Sequence, residues 1–71
     1  MTLHDAMVEV LTGGGMLSPT ELANEINRRK LYIRRDGNPV PSAQVSARAN
    51  NYSHLFSREP GKIGMARRDR A

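Results

Sequence analysis

The sequence predicts a mainly α domain in which three short helices are followed by a small β-hairpin. Three observations carry that expectation. Apolar residues recur at helical spacing near the start of the chain and again over residues 42–52. The stretch "SPTE", residues 18–21, is a helix start written in full. Near the end, "HLFSREPGKIGMAR" sets two short apolar-bearing runs on either side of a Pro-Gly turn, which reads as a hairpin. With 71 residues the chain has room for one small domain. That domain is placed at residues 1–66, with "RRDRA", residues 67–71, as a basic tail or linker.

Each element follows from local chemistry. Thr2 caps a first helix, with Asp5 three residues on as a variant of the capping box. Leu3, Ala6, Met7, Val10 and Leu11 form its buried stripe. Gly13, Gly14 and Gly15 stop it, because glycine takes the left-handed C-terminal conformation at no steric cost. A glycine run also suits a phosphate-cradling loop, but no Lys-Ser/Thr pair follows and no strand precedes, so a plain turn is expected. Met16 and Leu17 make a minimal strand. Ser18 then caps helix two, Pro19 opens it and Glu21 closes the box. Leu22, Ala23, Ile26 and the stem of Lys30 form its inner stripe. Arg28, Arg29 and Lys30 in the last turn complement the helix dipole and are also available to phosphate.

A connector, "LYIRRDGNPVP", spans residues 31–41. "DGNP" is a turn, and Pro39 and Pro41 prevent the segment from continuing as helix. Helix three follows, roughly Ser42 to Tyr52. Val45, Ala49 and Tyr52 face the core. The opposite face carries Ala43, Ala47 and Asn50, flanked by Gln44, Arg48 and Asn51. In the hairpin, Leu55 or Phe56 is expected to pair with Ile63 and Met65 on the inner face, around the turn "EPGK".

Composition narrows the function classes. There is no Cys, so disulfides and thiolate metal sites are excluded. No apolar run approaches a membrane span and no secretory leader is visible, so a cytoplasmic protein without a membrane partner is the default. The start at Met1 and the basic end suggest the front piece of a longer chain. Charge is polarised. Residues 1–27 hold Asp5, Glu9, Glu21 and Glu25 with no Lys or Arg, a net −4; from Arg28 onward eleven bases stand against Asp36, Glu59 and Asp69, a net +8. Such a distribution favours a polyanionic partner, although a solvated basic surface would look the same.

Helix, short strand, helix, connector, helix and hairpin is the order of a winged helix-turn-helix domain, here with a long insertion between helices two and three. The third helix of that fold is offered to double-stranded DNA and the hairpin is its wing. The small outward face of helix three suits close approach to a major groove. Gln44 and Asn51 match adenine, Arg48 matches guanine, and Ala43 and Ala47 fit a thymine methyl. Ser42 suits a phosphate at the helix N-terminus. Arg34, Arg35, Arg58 and Lys62 complete the expected DNA contacts. Small residues also permit tight helix–helix contact, so a protein-interaction module, with an exposed Tyr32 among its contacts, is the alternative. A face built for proteins would more often carry Leu, Met or aromatic anchors.

Catalytic chemistry is not expected. His4, Asp5 and Glu9 lie on one local helical surface without a second histidine and read as surface residues rather than a metal site. His54 stands alone, suited to capping helix three or to touching a phosphate. Glu21 is committed to its cap, which argues against an acid–base pair with Glu25. The chain reads as non-enzymatic, with no metal and no cofactor.

The stretches "LHDAMVEVL" and "MLSPTELANEINRRKLYIRRDGNPVPSAQVSARANNYSHLFSREPGKIGMA" resemble the HARE-HTH family, which occurs with chromatin proteins and restriction endonucleases and includes the delta subunit of bacterial RNA polymerase. The resemblance runs from about Leu3 to Ala66. Its most specific parts are the insertion ending in Pro41, the alanine-rich third helix and "LFSREPGKIGM". It implies a winged helix acting as a DNA-binding adaptor, often fused to restriction or modification enzymes and suited to sensing modified bases. It places the protein in the bacterial cytoplasm, at the nucleoid, with a nuclease or transcription protein fused or associated. The positions matching the family's contact helix are Ser42, Gln44, Ala47, Arg48 and Asn51, and those matching its wing are Arg58 and Lys62. The delta subunit serves transcription through the polymerase, which gives the protein-interaction alternative its setting.

Overall fold

A computed structural model describes residues 1–13 and 15–66. Gly14 and the expected tail at 67–71 lie outside the described residues. Five elements follow in order: α1 (Leu3–Leu11), α2 (Pro19–Arg29), α3 (Ser42–Asn51), β1 (Phe56–Glu59) and β2 (Lys62–Met65). The strands pair antiparallel, with Phe56 opposite Met65 and Arg58 opposite Ile63. The short Met16–Leu17 stretch meets the hairpin at its other edge, where Leu17 and Ile63 exchange both backbone hydrogen bonds at 3.0 and 2.7 Å.

The core is the set of stripes that periodicity marks. Leu3, Ala6, Met7, Val10 and Leu11 of α1 pack on Leu22, Ala23 and Ile26 of α2, and Val45 and Ala49 of α3 close the group. Phe56 and Ile63 bring the hairpin onto it, and Val40 brings the connector. Met65 departs from the expected alternation and is 37% exposed, while Gly64 is buried. The Met16 side chain covers Gly64, and a Cβ there would stand 2.8 Å from Met16 Cγ. The back of β2 is therefore filled by a neighbouring segment rather than by its own side chains. The turn joining the strands has Pro60 first and Gly61 second, with Gly61 at φ 77°. Proline's fixed negative φ rules out the primed hairpin turns, and a left-handed second residue is what a type II turn requires.

The helix ends show which local signals act. Thr2 Oγ accepts from the Asp5 N–H, and Ser18 and Glu21 form the reciprocal capping box. The first helix stops one residue before the glycines. Thr12 ends it in a right-handed conformation, with its own N–H and hydroxyl both donating to the Val8 carbonyl, and only Gly15 is left-handed among the described glycines of that run. Lys30 corrects a second expectation. It is exposed and adds nothing to the inner stripe; it sits left-handed at φ 55° and terminates α2. Its N–H reaches the Asn27 carbonyl and the Leu31 N–H reaches that of Ile26, the paired bonds of a Schellman cap made without glycine.

The connector is tied to α2 by one side chain. Asn27 Nδ2 donates to the Val40 carbonyl at 3.1 Å, and its Oδ1 accepts from the Val40 N–H at 2.9 Å. Val40 is buried, so neither peptide group has water as a substitute. One residue later Pro41 becomes the N-cap of α3. Asp36 and Gly37 form the expected turn, with the Gly37 N–H on the Arg34 carbonyl and the Asn38 N–H on the Asp36 carboxylate.

Two substitutions test these assignments. Asn27→Ala strands two buried backbone groups, and a loss of about 1–3 kcal/mol is expected in urea denaturation. Lys30→Gly relieves a left-handed side chain, and a gain of about 1 kcal/mol is expected after the glycine's greater unfolded entropy is deducted.

Candidate nucleic-acid interface

Helix α3 is held by two buried residues, Val45 and Ala49, on one side only. Ala43, Ala47, Asn50 and Asn51 are exposed on the other, and Ser42, Gln44, Ser46 and Arg48 are half-buried between. Ser42 is the first helical residue. The cap itself is Pro41, which offers no side-chain bond, and its carbonyl takes the Gln44 and Val45 N–H groups. The N–H groups of Ser42 and Ala43 are the ones a helix start leaves over. The half-buried Ser42 hydroxyl lies beside them.

Two side chains frame this helix. On one side Arg58 of β1 reaches back from the hairpin, and its Nη1 donates to the Ser46 carbonyl at 3.2 Å and to Asn50 Oδ1 at 2.8 Å. Arg58 thus fixes the hairpin against α3, and Asn50 is engaged by it rather than free on the outward face. On the other side Arg48 leans toward α1. Its Nη1 lies 3.5 Å from His4 Nδ1, and its guanidinium carbon stands 5.9 Å from the Tyr52 ring centre. Arg48 therefore occupies the flank of the exposed strip. What remains in the strip is Ala43, Gln44, Ala47 and Asn51, two methyls and two amides.

The remaining cations divide by partner. Glu25 takes both Arg28, at 2.8 Å, and Arg29, at 3.0 Å, and Asp36 takes Arg34 at 3.0 Å. Among the described residues Lys30, Arg35, Arg48, Arg58 and Lys62 have no carboxylate within ion-pair distance. Lys62 is exposed beside the hairpin turn, opposite Glu59. Among the described residues no hydrogen bond or ion pair joins Arg34 or Arg35 to α3 or the hairpin; Arg48 lies on α3 itself and Arg58 is brought to it, but the connector's arginines are not.

Sequence reasoning missed His4. Its ring stacks on Tyr52, centroids 4.0 Å apart and planes 18° apart, and His54 lies 6.0 Å from the same tyrosine. The expectation for Tyr32 also needs correction. It is half-buried and packed against the core, whereas its neighbour Ile33 is 66% exposed. Both line a hollow of about 250 Å³ with Asn27, Lys30 and the Gly37–Pro39 segment. The described helices include none long and apolar enough to cross a membrane.

The Arg28 hydrogen bond first, then the charges of Arg28 and Arg29, hold the Glu25 carboxyl below the ordinary carboxylate range; the same contact raises Arg28. The Asn38 N–H first, then Arg34, does the same for Asp36. A depressed folded value means stabilisation that is present above the unfolded carboxyl value and lost as pH falls through the folded one. Such exposed pairs contribute little individually. In urea titrations the small advantage of wild type over Glu25→Gln is expected at neutral pH and should vanish once the solution is well below about pH 4.

No family model, no curated protein and no solved structure matches this chain.

Proposed function

We propose that this chain is a non-enzymatic DNA-binding module of the winged helix-turn-helix type, with α3 in the major groove and the hairpin as its wing. The observation that carries the reading is the exposed strip of α3. Ala43 and Ala47 allow the backbone of the helix to approach base edges, and Gln44 and Asn51 offer planar amides that match adenine. A helix bearing long charged side chains at those positions could not enter as closely. Cations stand at both margins of the strip, Arg48 on one and Arg58 on the other, with Lys62 exposed at the hairpin turn. In this arrangement amides read bases, while arginines position the helix on the backbone. Arg48, drawn aside by His4 and Tyr52, belongs with the phosphate contacts, although arginine in the strip would suit guanine. Arg34 and Arg35 add sequence-independent charge.

The resemblance to the HARE-HTH family supports the same reading. It extends the proposal to a targeting domain of a restriction, modification or regulatory protein in the bacterial cytoplasm, with modified bases among the features sensed. A second reading, a protein-interaction module of the transcription machinery, draws on the exposed Ile33 at the edge of its hollow.

Fluorescence anisotropy of labelled duplexes, with and without methylated bases, at two salt concentrations, separates these readings. Wild type should bind with an affinity that falls steeply with salt, by a log–log slope of about −0.9 for each phosphate neutralised. Gln44→Ala or Asn51→Ala should remove discrimination between duplexes worth about 1–3 kcal/mol each. Arg48→Ala should weaken all duplexes alike and reduce the salt slope by about 1. Feeble, salt-insensitive binding that none of these variants alters would sink the DNA reading in favour of a protein partner.

A further inference from the structure

We propose that His4 and Arg48 form a proton-linked clamp for one phosphate of the DNA backbone, so that duplex binding takes up a proton at His4. The inference rests on the DNA-binding reading and adds to it a phosphate ligand, a residue from α1 and a dependence on pH.

Tyr52 is the wall of the clamp. The His4 ring stacks on it at 4.0 Å, and the Arg48 guanidinium stands 5.9 Å from its centre. Two nitrogen groups from separate helices are thereby held together, with Arg48 Nη1 3.5 Å from His4 Nδ1. A guanidinium has donors only, so an N–H directed at Nδ1 needs a lone pair there. Neutral imidazole protonated on Nε2 provides it. A second proton on the ring would set N–H against N–H and one positive charge against another.

Among the described residues the ring has no ion-pair partner, and the Thr2 hydroxyl, 3.2 and 3.3 Å from its two nitrogens, is its only hydrogen-bonding neighbour besides Arg48. The Thr2 hydroxyl reaches the ring from the same helix, and Arg48 and Tyr52 reach it from α3 and its cap. Asp5 follows in the chain; its N–H is bonded to Thr2, and its carboxylate makes no hydrogen bond or ion pair among the described residues. Neither α2 nor the hairpin contributes a hydrogen bond or ion pair to the ring. A phosphate oxygen favours the protonated ring, because it accepts from the guanidinium and from a protonated imidazole together. Binding and protonation then favour each other by the same factor. The position fits a backbone ligand, since the pair lies at the margin of the α3 strip and phosphates flank a helix seated in a groove.

The titration has few other sources. The chain holds two histidines and no cysteine, so near neutrality the candidates are His4, His54 and the terminal amine. The test is anisotropy with a labelled mixed-sequence duplex at constant ionic strength, from about pH 8 to about pH 6. It uses the full chain as wild type, His4→Gln and His54→Gln, each shown to be folded by circular dichroism. Wild-type affinity should rise toward acid, approaching about tenfold per pH unit at its steepest for one proton. His4→Gln should bind with a flat profile, and His54→Gln should keep the wild-type slope. If His4→Gln does not fold, imidazole NMR signals of wild type decide instead: the duplex should keep His4 protonated to higher pH. A flat wild-type profile, a slope that survives His4→Gln, one lost in His54→Gln, or His4 signals indifferent to the duplex overturns the clamp and leaves DNA binding standing. Absence of duplex binding at every pH overturns both.

Discussion

The amide of Asn27 closes a two-bond ring with the Val40 peptide, and the placement of α3 depends on it. An eleven-residue connector with two prolines cannot hold itself by regular backbone pairing, because proline has no N–H to give. A single amide on α2 supplies one donor and one acceptor to the one connector residue that is buried. The chain leaves that anchor directly into Pro41 and α3. Val45 and Ala49 can then reach the core, and the opposite face of the helix is left to solvent. Without the ring, the connector would have apolar contacts of Leu31, Tyr32 and Val40 and the exposed turn around Gly37, but no hydrogen bond to fix the register at which it enters α3.

The hairpin is positioned by a different combination. Ile63 is fully buried and also bonds through its backbone to Leu17, so one residue joins β2 to the segment before α2. Arg58, directly opposite Ile63, fastens β1 to α3. The two strands are thus held by apolar burial at one edge and by an arginine at the other. This explains why Arg58, although exposed, is partly structural. Its remaining donors are the ones available to a ligand. A cation that is already tethered loses less conformational freedom on meeting a phosphate, which is an advantage at an interface margin.

The arginines of this protein differ in what holds them. Glu25 takes Arg28 and Arg29 and Asp36 takes Arg34, whereas Arg48 and Arg58 meet partners other than carboxylates, a histidine, a tyrosine ring, an amide and a carbonyl. Partners that carry no negative charge orient a guanidinium without cancelling its charge. That arrangement suits attraction of a polyanion better than a network of ion pairs would, and it arises from which elements meet, since the acidic residues among those described lie on α1, α2, the connector turn and the end of β1.

The five elements and, Lys30 apart, the inner helical stripes are legible in the sequence, because caps, periodicity and turn residues act within a few positions of one another. Ser18, Pro19 and Glu21 are an example: every atom of that cap lies inside four consecutive residues. The sequence also shows that α3 presents small and amide side chains outward. The tertiary structure decided the rest, where the partner is remote in the chain. Asn27 looks like an ordinary polar residue near a helix end until Val40 arrives thirteen residues later. Met65 and Gly64 exchange their expected exposure because Met16 lies over the glycine. Lys30 continues a helical pattern, but the chain must turn there, and its backbone gives way. His4 reads as a surface residue because its environment, Arg48 and Tyr52, is assembled only when α1 and α3 meet, 44 residues apart along the chain. Local propensity cannot encode such a contact; the crossing of two packed helices creates it.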